Sequence, residues 1–187
     1  MAPVVCTPKV GGADSGLVAG YWDLLDPTGI NTLAVYGFTW KDGGFIDTQI
    51  NFPGAAGSGL FGVNARGDLS GVWVPDVNGN IEHGFVCPKS APCYSYDASV
   101  PGTVLTQGDG INAHGQFAGV SCDDNFVCHA FLLAGSTLSS FDFPGAAGTG
   151  TLAYGINSAG QIVGRYYDPD GHFHGFLAEP AQKAKPQ

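Results

Sequence analysis

The stretch LSSFDFPGAAGTGTLAYGINSAGQIVGRYYDPDGHFHGFL, from Leu138 to Leu177, decides the fold, because most of the chain reads as imperfect copies of it. Its plainest echo is INFPGAAGSGLFGVNARGDLSGVWVPDVNGNIEHGFV, from Ile50 to Val86. A more diverged copy, ASVPGTVLTQGDGINAHGQFAGVSCDDNFVCHAFLL, runs from Ala98 to Leu133, and SGLVAGYWDLLDPTGINTLAVYGFTW, from Ser15 to Trp40, lacks its front end. The register is marked by Asn64, Asn112 and Asn157, by Gly20, Gly71, Gly119 and Gly164, by Phe38, Phe85, Phe131 and Phe176, and by Pro53, Pro101 and Pro144. A period of roughly 45 residues at every marker means an array of like supersecondary units. The copies divide the chain at about 1–53, 54–101, 102–144 and 145–187, one repeat domain with no room for a second, unrelated one.

Within the last copy, Thr151–Ile156 and Gln161–Tyr167 alternate as strands around the turn Asn157–Gly160. Asp168-Pro169-Asp170-Gly171 is a strong turn, and His172–Ala178 follows as a third strand. In the preceding copy, Leu138–Phe143 shows the fourth strand, and a glycine-rich crossing carries the chain onward. Four short antiparallel strands per 40 to 50 residues is the arithmetic of a β-propeller blade. The expected fold is therefore all-β, a small propeller of four blades with four antiparallel strands each. A β-trefoil or a sandwich is the runner-up. The N-terminal VVCTPKV offers one strand, either to begin the first blade or to complete the last.

The 187 residues are 44% hydrophobic and only 12% charged, with 30 glycines and 12 prolines, which argues against helices. A net charge of −9 repels phosphate backbones and anionic lipid, so nucleic acid is an unfavourable partner. No apolar run is long enough to span a bilayer. The start MAPVVCTPKV lacks the basic beginning and long apolar centre of a signal peptide. Cys87 with Cys93, and Cys122 with Cys128, each bracket a hairpin turn, where facing positions come within disulfide range. Such staples imply an extracellular or periplasmic address; the alternative is four free thiols packed as small hydrophobes. Cys6 is left over, free or joining two chains.

The combination FDFPGA, GIN-x-x-GQIVG, a DPDG turn and HGFL resembles the HAF-type extracellular repeat, whose tripeptide stands here as His129-Ala130-Phe131. The other copies read His83-Gly84-Phe85, His174-Gly175-Phe176 and, departing from the pattern, Tyr36-Gly37-Phe38. The resemblance covers nearly the whole chain and implies a secreted or surface protein with propeller-like repeats, without implying a particular chemistry.

Three equivalent histidines invite a metal, but on the third strand they stand about 10 Å farther out than the innermost strand and cannot converge at about 2 Å. They are expected to close local hydrogen bonds instead. Asn64, Asn112 and Asn157 are expected to satisfy turn backbones. The turns between second and third strands share a face with the crossings, crowding Asp23, Asp26, Asp76, Asp109, Asp123, Asp124, Asp168 and Asp170 together. These carboxylates offer oxygen ligands for Ca²⁺, with Asp168 and Asp170 the candidate pair, or acceptors for sugar hydroxyls; equally, Asp is simply a good turn residue. Otherwise no cofactor is expected.

Residues that break the repeat are the better function candidates. Trp22 and Trp73 follow the second-strand glycine, with Tyr21, Tyr166 and Tyr167 nearby, and such rings stack on a sugar or fill the space between blades. With Asp123 and Asp168 they form the expected binding set. No catalytic motif is present, and catalytic residues are not assignable. The expected function is a secreted or cell-surface module that binds a glycan or small molecule at the acidic loop face. The alternatives are an enzyme (lyase, hydrolase or cyclase/isomerase) using Asp, His and Tyr there, and a structural extracellular protein assembling through blade edges or Cys6.

Overall fold

The computed structural model describes residues 4–6, 11–98 and 102–180. Among them the chain is all strand and turn, in the order β1 (Val4–Cys6), β2 (Gly11–Gly12), β3 (Val18–Leu25), β4 (Thr32–Lys41), β5 (Gly44–Ile50), β6 (Gly57–Val63), β7 (Leu69–Val74), β8 (His83–Cys87), β9 (Tyr94–Tyr96), β10 (Thr103–Ile111), β11 (Gln116–Asp123), β12 (Cys128–Ala134), β13 (Thr137–Phe141), β14 (Thr151–Ile156), β15 (Ile162–Tyr167) and β16 (Phe173–Ala178). They form four antiparallel sheets. The second is β6-β7-β8-β9, the third β10-β11-β12-β13 and the fourth β14-β15-β16. In the first, β1 and β2 both pair with β3, followed by β4 and β5. The N-terminal strand therefore begins the first sheet.

The turns explain the strands. Asn64 Oδ1 accepts the N–H groups of Arg66 and Asp68, and Asn112 and Asn157 repeat the arrangement, so each closes the turn between inner and second strands. Their amide nitrogens also reach sideways: Asn64 Nδ2 donates to the Asn112 carbonyl at 2.9 Å, and Asn112 Nδ2 to the Asn157 carbonyl at 3.0 Å. In β6, β10 and β14 a buried hydroxyl does similar work. Ser58, Thr106 and Thr151 accept the N–H of Phe52, Ala98 and Phe143, tying the incoming crossing to the strand. Parallel backbone bridges Glu82–Leu105 and Cys128–Gly150 join successive sheets at the same end.

The core lies between sheets. Ala19 packs with Leu60 and Phe85 between the first and second, Val86 with Phe117 and Phe131 between the second and third, and Ala118 and Ala130 with Ala153 and Ile162 between the third and fourth. Phe85, Phe117 and Phe131 are almost fully buried, each contributing about 2–3 kcal/mol of transfer free energy. No such core joins the fourth sheet to the first among the described residues. One strand of each sheet, β2, β6, β10 and β14, nonetheless lines a shared cavity of about 220 Å³. Asp109, expected on a crossing loop, instead lies within β10, buried and lining this cavity, because the strand extends back to Thr103.

The cysteine pairs are both disulfides, Cys87–Cys93 and Cys122–Cys128, with Cα atoms 4.0 and 4.1 Å apart. No helix among the described residues is long and apolar enough to cross a membrane.

Candidate functional site

The acidic loops are built by their own carboxylates. Asp26, Asp123 and Asp168 each accept backbone N–H groups two and four residues ahead, a turn that needs a short acceptor side chain at its first position. Asp76 bonds the Asn78 N–H alone, and Asp124 accepts from the Asn125 side chain. Thr28 and Asn31 donate to Asp26 and hold its carboxyl well below the usual range.

Asp168, Asp170 and His172 bring one ligand atom each within 4.8 Å of one another. The His174 Nε2 bond at 2.8 Å is the main reason the Asp168 carboxyl sits low, at about 2. Its other oxygen is taken by the two turn N–H groups, and the cluster falls short of the six to eight oxygens that Ca²⁺ takes. The three ligand atoms are nonetheless close enough together to hold a metal ion. Because the folded value is depressed, the contribution of Asp168 is present above its unfolded value of 3.8 and disappears as pH falls towards 2. A carboxyl NMR titration is expected to place its midpoint near 2, and His174→Ala to move it upward.

The candidate aromatic rings are engaged with one another. Trp73 stacks between Phe52 at 5.1 Å and His83 at 4.4 Å, and its indole donates to Ser95. Tyr166, in the same position of the fourth sheet, stacks between Phe143 at 3.8 Å and His174 at 5.2 Å. Trp22 lies against Tyr36 and donates to the Thr48 carbonyl. Tyr167 meets Phe173 edge-on, with the Arg165 guanidinium over both rings. The histidines make local bonds as expected: His83 Nδ1 meets Asp97 at 2.9 Å, and His129 Nδ1 meets Asp142 at 2.8 Å.

Tyr21 is different. It lines a pocket of about 250 Å³ at the loop face, between the first and second sheets. Tyr21 and Asp23, two apart on β3, point into it, while Phe61, Val35, Val72, Val74 and Val77 supply apolar walls. Glu82 and Gln107 close it, with the Gln107 amide donating to the Glu82 carboxylate. Burial raises the Asp23 carboxyl above its ordinary value. Gly57 and Gly59 line the pocket too; a side chain at Gly57 would run into Val35 and Val77 at 3.0 Å. A half-buried acid, a held carboxylate, an amide and two rings thus place hydrogen-bonding groups beside apolar walls.

Sequence reasoning named Tyr21 and the Asp23 loop but missed Glu82 and Gln107. The signal was there: other copies carry Val35, Cys128 and Phe173 where Glu82 stands, and Gly59 and Leu152 where Gln107 stands.

Arg66, between hollows of about 410 and 480 Å³, pairs with Asp68 at 2.6 Å. Burial pushes the Asp68 carboxyl up, but bonds from Asn64, the Lys89 N–H and Arg66 outweigh it and leave it lowered. Arg66 thus has a partner that the sequence did not show. No protein-family model matches the chain, and no curated protein is significantly similar to it.

Proposed function

We propose that the four sheets form a four-bladed propeller of HAF-type repeats, and that the protein is an extracytoplasmic module binding a sugar-like small molecule. The ring is supported by the four inner strands around one cavity and by the sideways asparagine bonds. The oxidised address is supported by the two disulfides.

The observation that carries the binding reading is the loop-face pocket itself, where Asp23, Glu82 and Gln107 face the rings of Tyr21 and Phe61. Acceptors and an amide match a row of hydroxyls, and ring faces match the C–H side of a sugar. Asp123 and Asp168 serve their own turns and lie outside this pocket.

Calorimetric titration of a monosaccharide panel, backed by a glycan array, is expected to yield a saturable ligand. Asp23→Asn and Glu82→Gln should each weaken it about tenfold, as loss of a hydrogen bond to a charged group does. Val77→Trp, which fills the pocket, should abolish binding. Absence of any ligand, or a ligand indifferent to all three changes, refutes the reading.

One observation favours an enzyme at the same place: the raised Asp23 carboxyl keeps its proton to higher pH, and Glu82 supplies a second carboxyl for acid–base work. Turnover of the bound sugar's aryl glycoside, lost in Asp23→Asn, would establish that reading.

A further inference from the structure

Among the described residues the fourth sheet has three strands, one fewer than the second or third. Among the described residues it ends at β16, whereas β9 and β13 cover the equivalent edges of the second and third sheets. The same tripeptide pattern is therefore treated differently. Phe85 and Phe131 are fully buried, but Phe176 is only partly so, and Phe173 and Leu177 on the same strand are 68% and 58% exposed. A three-stranded antiparallel sheet with a bare, partly apolar edge is a template for one more strand.

The chain itself shows what that strand must look like. In the second sheet the covering segment is Ser95-Tyr96-Asp97, with Ser95 opposite Phe85 and Tyr96 opposite Gly84. In the third it is Ser140-Phe141-Asp142, with Ser140 opposite Phe131 and Phe141 opposite Ala130. Each serine hydroxyl donates to the carbonyl facing the aromatic residue, Gly84 or Ala130. Each aspartate takes the histidine of the covered strand through Nδ1. Where the first sheet has Tyr36 instead of histidine, the covering strand has Asn51 instead of aspartate. Histidine on the third strand thus goes with aspartate on the fourth.

His174 has the histidine without the aspartate. It bonds Asp168 through Nε2 rather than Nδ1, leaving Nδ1 without the partner its equivalents have, and it stays half-exposed.

We propose that β16 is a docking edge for an extended segment of another polypeptide carrying Ser, then Tyr or Phe, then Asp, which adds as the fourth strand and places its aspartate on His174. The serine hydroxyl would donate to the Gly175 carbonyl and the aromatic ring would lie over Gly175, as in the two covered sheets. This edge is separate from the loop-face pocket, so either conclusion can fail without the other.

The probe is a synthetic peptide of residues 136–145, STLSSFDFPG, added to the full chain and followed by backbone NMR and fluorescence anisotropy. Saturable binding below about 1 mM, with shifts centred on Phe173–Ala178, is expected. The peptide with asparagine in place of its aspartate should bind about tenfold more weakly. In His174→Ala, a change at a half-exposed side chain, the two peptides should bind equally. Absence of binding overturns the proposal. So do equal affinities of the two peptides for the unaltered protein, or shifts centred on another sheet.

Discussion

Gly119→Ala is expected to destabilise the protein by roughly 3 kcal/mol or more, lowering its melting temperature by about 6–12 °C in a domain of this size. A methyl group there would stand 1.9 Å from the Gln107 carbonyl oxygen and 2.9 Å from the Phe131 ring. The first of these contacts is with backbone, so relief requires the two strands to move apart. The cause is a bulge: the register of β10 on β11 shifts between Gly108 and Gly110, next to the Gly119–Gly108 pair, and brings the inner strand close to its neighbour. Gly71 and Gly164 repeat the geometry, facing the carbonyls of Gly59 and Leu152 at 1.9 and 2.0 Å, beside equivalent shifts. The control is Gly44→Ala. A Cβ at that exposed position meets nothing within 4 Å, and its effect should stay within about 0.5 kcal/mol. Thermal unfolding of both variants by calorimetry checks the pair, and similar melting temperatures would contradict the close approach.

Reduction of the two disulfides is the second large effect. Each bridge spans a sequence separation of 6, a short loop whose closure restricts the unfolded chain by about 2 kcal/mol. Together they contribute about 4–5 kcal/mol, or some 10–15 °C in melting temperature. They act at opposite ends of the sheets: Cys122–Cys128 pins the hairpin of β11 and β12 at the loop face, and Cys87–Cys93 pins the link from β8 to β9 on the other side. Calorimetry with and without reductant, compared with the double variants Cys87→Ser/Cys93→Ser and Cys122→Ser/Cys128→Ser, separates the two. A combined loss under about 2 °C would show that the unfolded chain is already restricted at these loops.

Much of the fold is legible because the markers are local devices repeated in phase. Asn157 closes a turn through its own neighbours' N–H groups, and Asp168 does the same on the other side, so both turns follow from short stretches of chain. The strands between them were bracketed to within a residue or two: Thr151–Ile156 as expected, with Ile162–Tyr167 and Phe173–Ala178 each one residue shorter at the start. The histidine bonds were legible as a type, since a polar residue repeated on one strand points to a packing role. Their aspartate partners were not, because Asp97 and Asp142 lie 14 and 13 residues away, just past the end of another strand.

The candidate site was less legible. Asp109 reads as a loop acid in the run TQGDGIN but is a buried strand residue, since only the pairing with β11 shows where that strand begins. Trp22 and Trp73 stand out as pattern breakers and end up stacked on their neighbours, whereas Tyr21 lines a pocket. Adjacent residues of one strand point to opposite faces, so which face is covered depends on the next sheet.

From the order of residues alone came the repeat, the antiparallel strands, the two cysteine pairs and the turns, all of which depend on interactions within a few residues or across one hairpin. Tertiary structure alone decided that Asp23, Glu82 and Gln107, from three separate stretches of chain, share a pocket, and that among the described residues no strand covers the edge of β16 where its equivalents are covered. The physical reason is that hydrogen-bonded turns are determined by neighbours along the chain, while burial and pocket walls are determined by whichever sheet arrives from a distant part of the chain.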